Sequence, residues 1–176
     1  MNLDLLPLGW VHFLVSLVAM VVGAAMLVGL KGTAVHKARG RVYVTAMVVT
    51  NLTALGLYRN GVFFFAHWFA VAALILTALG LAAAHFRIPR GGWVHVHLTA
   101  MVASFYILIG GAVNEVFLRI DVFRRLATDF GLPATVGMTQ FVVMALFAVL
   151  IAYFNVVVML RARAGRVPPL QGGVIG

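Results

Sequence analysis

Two long apolar runs flank the stretch Lys31-Gly32-Thr33-Ala34-Val35-His36-Lys37-Ala38-Arg39-Gly40-Arg41-Val42-Tyr43, which holds four cations, one histidine and two glycines. Hydrocarbon cannot solvate such a segment, because each charge placed at the centre of a bilayer costs about 3 kcal/mol or more. It must lie in water or among lipid headgroups, and so it fixes where a first membrane crossing ends and a second begins. Composition agrees: 64% of the 176 residues are hydrophobic and 10% charged, against about 45–50% and about 25% in soluble domains. Lipid admits only helices and closed barrels, since every backbone group must be paired internally. The runs are long enough for helices, so the expectation is an all-α integral membrane protein.

A net charge of +9 would suggest nucleic acid in a soluble chain. Here the cations sit between apolar runs, where the positive-inside rule accounts for them, and nucleic acid is not an expected partner. The absence of cysteine removes disulfides, iron–sulfur clusters and thiolate metal sites, leaving histidine as the strongest available ligand. The start Met1-Asn2-Leu3-Asp4 lacks the basic region of a signal peptide, and the run from Leu8 to Leu30 reads as a retained helix.

Five stretches approach or exceed the roughly 20 apolar residues of a spanning helix: about 9–30, 33–58, 61–85, 93–118 and 136–160. The second is apolar only from Val42 and reaches spanning length by starting near Thr33, a suitable N-cap residue. In a bundle of five helices, Lys31, Lys37, Arg39 and Arg41 fall on the same side as Arg87, Arg90, Arg161, Arg163 and Arg166. The other side has Arg59, and Arg119, Arg124 and Arg125 interleaved with Glu115, Asp121 and Asp129. The positive-inside rule then puts the N-terminus outside and the C-terminus in the cytoplasm of a bacterial inner membrane. Residues 115–132 carry Leu118, Val122 and Leu126 four apart beside Phe123, the pattern of an amphipathic segment along the outer interface. Residues 161–176 are expected to form a flexible cytoplasmic tail. No internal repeat is evident in the sequence.

The six histidines are the most informative polar residues. Counting about 1.5 Å per helical residue, His12 and His67 lie a turn or so below the outer surface, and His36, His85, His95 and His97 lie near the cytoplasmic side. Two imidazoles on facing helices at one depth are what bis-histidine haem ligation requires. The outer pair would be His12 with His67. The inner pair would be His36 with His97, with His95 and His85 as substitutes. Gly40 shares a helical face with His36 and would let a planar cofactor approach the backbone, while Arg41 and its neighbouring cations could meet propionates or anionic lipid.

Plainer roles stand beside these. Histidines near helix ends also cap carbonyls, and Asn51, Thr53, Thr77, Ser104, Gln140 and Asn155 are expected to make interhelical hydrogen bonds. Phe63, Phe64, Phe65, Trp68 and Phe69, with Trp10 and Trp93, suit an interfacial belt. No carboxylate lies well inside the spans to serve a zinc hydrolase or a proton-coupled transporter. No nucleophile elbow or phosphate loop is present.

His12, the run His36-Lys37-Ala38-Arg39-Gly40-Arg41-Val42-Tyr43, and His97-Leu98-Thr99-Ala100-Met101 with Ser104 and Tyr106 together resemble the pattern H…H-[KR]-x-x-G-R-x-Y…H-x-x-x-M-x-x-S-Y. That pattern marks the bacterial multi-helix membrane proteins grouped as domain of unknown function 2306. The resemblance covers roughly residues 9–120 and departs where Phe105 separates Ser104 from Tyr106. It implies no activity, but singles out His12, His36 and His97. In arrangement the chain is also similar to small transmembrane b-type cytochromes.

The resulting expectation is a membrane-embedded protein with one or two b-type haems, carrying electrons within or across the bilayer, with quinol or other membrane redox subunits as candidate partners. Two alternatives stay open. One is a cofactor-free accessory or assembly subunit of a larger complex, suggested by the small extramembrane mass; the other is a histidine-based copper or zinc site.

Overall fold

A computed structural model describes residues 7–57, 65–129 and 131–164. Every regular element in them is helical: α1 (Pro7–Val28), α2 (Ala34–Gly56), α3 (Phe65–Phe86), α4 (Trp93–Arg119), α5 (Asp121–Asp129) and α6 (Leu132–Arg163). Four segments are long and apolar enough to cross a membrane: Pro7–Val28, Ala66–Phe86, Trp93–Arg119 and Pro133–Arg163. The protein is therefore a helical membrane protein. α2, at 23 residues, has the length but carries Lys37, Arg39 and Arg41 in its first turns, which lowers its average hydropathy.

The helix ends follow local chemistry. Thr33 caps α2, its hydroxyl oxygen accepting from the backbone N–H of His36 at 3.1 Å, so the helix starts well before Val42. Lys31 closes the other side of this turn by donating to the carbonyls of Met26 and Leu27 at the end of α1, groups that otherwise lack a partner. Partial burial there lowers the Lys31 pKa. Its ammonium also lies 5.3 Å from the ring centre of Phe154 on α6. The amphipathic segment divides: α4 runs on to Arg119, Ile120 adopts an extended conformation, and α5 begins at Asp121. Gly131, at φ 85°, precedes α6. Arg161 and Arg163 belong to the last turn of α6, not to a tail. Arg59, Phe63, Phe64, residues 61–64 of the third expected helix, and the tail beyond 164 lie outside the described residues.

α1 and α2 form one helical hairpin and α3 and α4 another. Contacts of α2 with α3 and of α1 with α4 close the two hairpins into a four-helix arrangement, and α6 packs on the outside of α4. α1 and α3 thus lie diagonally opposite, as do α2 and α4. The centre is filled by Tyr43, Ala46 and Met47 of α2 and Phe105 of α4, against Ala19 of α1 and Ala73 of α3. Large side chains come from one diagonal and small ones from the other. At Gly23 the fit leaves no room for a methyl group: a Cβ there would come within 2.5 Å of the Phe105 ring. Small residues permit this close approach, the usual way helices associate in lipid. Asn51 and Thr77, expected to bond between helices, instead turn back to their own: Asn51 donates to Met47 O, and Thr77 to Ala73 O, both at 2.7 Å. The outward faces of α1 and α6, including Val21, Val28, Met138 and Val149, are exposed and apolar, as lipid contact requires.

Candidate bis-histidine site

Of the four histidines near the end of the bundle where α2 and α4 begin, His36 and His97 meet. Their ring centres lie 6.4 Å apart with the planes at 79°. They project from diagonally opposite helices, so the pair spans the bundle interior. A metal ion bonded to two imidazole nitrogens at about 2.0–2.1 Å, each about 1.1 Å from its ring centre, would separate the centres by about 6.2–6.4 Å when aligned. The observed spacing is of that size, and it is also that of an ordinary edge-to-face ring contact.

The ring of His97 is oriented by α3. Its Nδ1 lies 2.8 Å from the carbonyl oxygen of Gly80, which can only accept, so Nδ1 carries the proton and Nε2 keeps its lone pair. A ligating histidine needs this tautomer, fixed by a second hydrogen bond. Gly80 is what brings α3 close enough: a Cβ at that position would sit 2.8 Å from Met101 Sδ and 3.3 Å from Ala100 Cβ.

Beside His36 a groove of about 260 Å³ opens between α1 and α2, lined by Ala25, Met26, Gly29, Thr33 and Arg39. The Arg39 guanidinium lies over Gly29, 3.5 Å from where a Cβ would stand. Gly40 faces α1, with Met26 Cε 3.7 Å from its Cβ position, and Arg41 is exposed. Among the described residues this end of the bundle has no acidic counterpart: the acids among them are Glu115, Asp121 and Asp129. Among the described residues the ion pairs are Arg119 with Glu115 and Arg124 with Asp121, both at the opposite end.

The two substitute histidines go elsewhere. His95 Nδ1 donates to Asn155 Oδ1 at 2.6 Å, while the Asn155 amide donates to Thr99 Oγ1 and Ile151 O, joining α4 to α6. His85 is exposed, with its ring 4.7 Å from that of Phe86.

At the other end, His12 of α1 approaches α2. Its Nδ1 donates to Thr50 O at 2.9 Å with Thr53 Oγ1 at 3.2 Å, so its Nε2 is again left with a lone pair. His67, near the start of α3, is 2% exposed. The two lie on the second diagonal of the bundle. Along α2, His36 and Thr50 are separated by 14 residues, a rise of about 21 Å, which sets the two histidine groups at different depths.

Among the described residues no three histidine or carboxylate side chains gather as ligands, so the three protein ligands usual for catalytic zinc are not assembled. The role of Gly80 escaped sequence reasoning; Ser104 was expected to bond between helices and does, and the shared seven-residue spacing of His36 to Tyr43 and His97 to Ser104 was the available signal for its partner. No protein-family model, curated protein or solved structure matches this chain.

Proposed function

We propose that the protein is a b-type haem carrier of the bacterial inner membrane, with five spanning helices, the N-terminus outside and the C-terminus in the cytoplasm. α2 is the fifth span, its cationic first turns lying among headgroups and its centre shielded by neighbouring helices. α5 lies along the outer interface, with Val122, Phe123 and Leu126 toward lipid. The observation that carries the reading is the 6.4 Å approach of His36 and His97 across the bundle interior.

His36 and His97 would ligate the iron, and His12 with His67 would hold a second haem at the outer depth. The bound group supplies one-electron chemistry. The chain's own contributions are ligation, burial and charge, the levers that set a haem potential. Gly80 O holds the His97 ring so that Nε2 is directed to ligation. The groove between α1 and α2 is below the 300–1,000 Å³ typical of ligand pockets. Its lining residues, His36 and Arg39 among them, are those that would border the bound group. Arg39, in the lining of the groove, would face carboxylates of that group, where no acid among the described residues competes. Quinol, or another membrane redox subunit, would exchange electrons at either surface.

Replacing His97 with alanine tests the assignment directly. The low-spin bis-histidine absorption of the inner haem should disappear while the protein still inserts and folds. An unchanged spectrum would remove His97 from the ligand set.

A further inference from the structure

His36 and His97 are 61 positions apart in the chain, and so are Tyr43 and Ser104. α2 and α4 are alternate helices of the bundle and run in the same direction. Equal offsets therefore mean that the two helices face each other in one constant register. The seven residues from His36 to Tyr43, or from His97 to Ser104, make two turns short of about 20° and a rise of about 10 Å. Each helix thus presents its histidine and its hydroxyl residue on one stripe.

The Tyr43–Ser104 contact is buried and directional. Tyr43 is 2% exposed and Ser104 is fully buried. Ser104 donates its proton to Met101 O at 2.8 Å, so in the 3.1 Å contact between the hydroxyls Tyr43 is the donor. The Tyr43 ring packs edge-on against Phe105, with centres 6.2 Å apart, and Phe105 in turn fills the space left by Gly23. A slip of α2 by one residue means about 1.5 Å of rise and about 100° of rotation. Either motion breaks the hydroxyl contact and turns His36 away from His97.

We infer that Tyr43 and Ser104 are positioning residues that set the register of α2 against α4 and thereby hold the His36 ring opposite His97. For haem ligation the inference rests on the function proposed above; the register itself does not. Neither hydroxyl touches the cofactor in this scheme. They act on it through the helices.

Two measurements keep the inference separate from the haem reading. In the first, Tyr43→Phe, Ser104→Ala and the double variant are compared with wild type by electron paramagnetic resonance of the ferric protein and by redox titration. The double variant should shift the resonance and the potential by less than the sum of the two single variants, because both singles remove the same hydroxyl contact, while Ser104→Ala also removes the bond to Met101 O. Thr77→Val, which deletes a buried hydroxyl bonded within α3, should leave both readouts in place. Additive shifts, or an equal shift in Thr77→Val, would overturn the assignment and leave only general packing.

In the second, the chain's lack of cysteine lets thiols at positions 36 and 97 report the register without haem. With His36→Cys and His97→Cys together, a short bifunctional maleimide should join α2 to α4. Adding Tyr43→Phe should lower the rate by about threefold, the factor that a typical interhelical hydrogen bond in a membrane protein is worth. An unchanged rate would overturn the inference. A colourless wild-type protein whose cross-linking still depends on Tyr43 would refute the haem reading and sustain the register.

Discussion

His97 donates its Nδ1 proton to the backbone carbonyl of Gly80, 2.8 Å away on the neighbouring helix. A carbonyl cannot donate, so this contact alone fixes the tautomer of a histidine that faces His36 across the bundle. The contact depends on how closely α3 and α4 cross, and hence on the absence of a side chain at residue 80.

Gly80→Ala tests that dependence. The added carbon would stand 2.8 Å from Met101 Sδ, and relieving it must separate the helices or turn Met101 aside. Overpacking of this kind costs about 1–3 kcal/mol. The expected outcome is a lower unfolding temperature in detergent together with weaker retention of the inner haem. Stability and haem content equal to wild type would show that the crossing is looser than the contacts imply.

The fold and the site were legible in the sequence to different degrees. Unbroken apolar runs announced the long helices, and Thr33 was identifiable as the start of α2 because its hydroxyl precedes a helical stretch. The polar groups Gln140 and Asn155 were expected to bridge helices and do so. His36 with His97 was preferred from the sequence and these are the two rings that meet, but counting residues alone left His95 and His85 as substitutes, because all four share one depth and differ in the direction they face. Direction depends on which helices are neighbours, and here Asn155 on α6 draws His95 away from the pair. The end of α4 was legible to within one residue, 118 expected against Arg119 observed, and the pairing of Arg119 with Glu115 along the helix accounts for that last step.

Gln140→Leu examines how α6 is held to the bundle. Gln140 donates to Gly110 O at 2.7 Å and to Asn114 Oδ1 at 3.0 Å, and a Cβ on Gly110 would meet Gln140 Oε1 at 3.0 Å. Interhelical hydrogen bonds in membrane proteins average about 0.6 kcal/mol, so losing both should cost about 1 kcal/mol. Unfolding measured in detergent should show that loss, with the spectrum of the inner haem unchanged because the contact meets α4 13 residues beyond His97, about 20 Å along the helix.

The orientation is tested by single cysteines in a chain that has none of its own. Lys37→Cys should react with a membrane-impermeant maleimide only after the cytoplasmic face is exposed, and Asp129→Cys should react in intact spheroplasts. The reverse pattern would invert the topology. Labelling of both from one side would mean that α2 does not cross the membrane.

If the outer pair ligates, replacing His67 with alanine should reduce the haem content from two per chain to one while leaving the inner signature in place. His12→Ala should do the same. His12 also loses its contacts with Thr50 and Thr53, so this variant should be the less stable of the two. A variant that keeps both haems would remove its residue from the outer site.

The most direct test of the central claim is an absorption spectrum of the detergent-purified protein, oxidised and dithionite-reduced, with pyridine haemochrome quantification after expression with ample haem. The account predicts a sharp reduced α-band of b-type haem, with a stoichiometry of one if only His36 and His97 ligate and two if the outer pair does as well. A protein without a Soret band would contradict it, and would recast the convergence of His36 and His97 as packing within an accessory subunit of a larger complex.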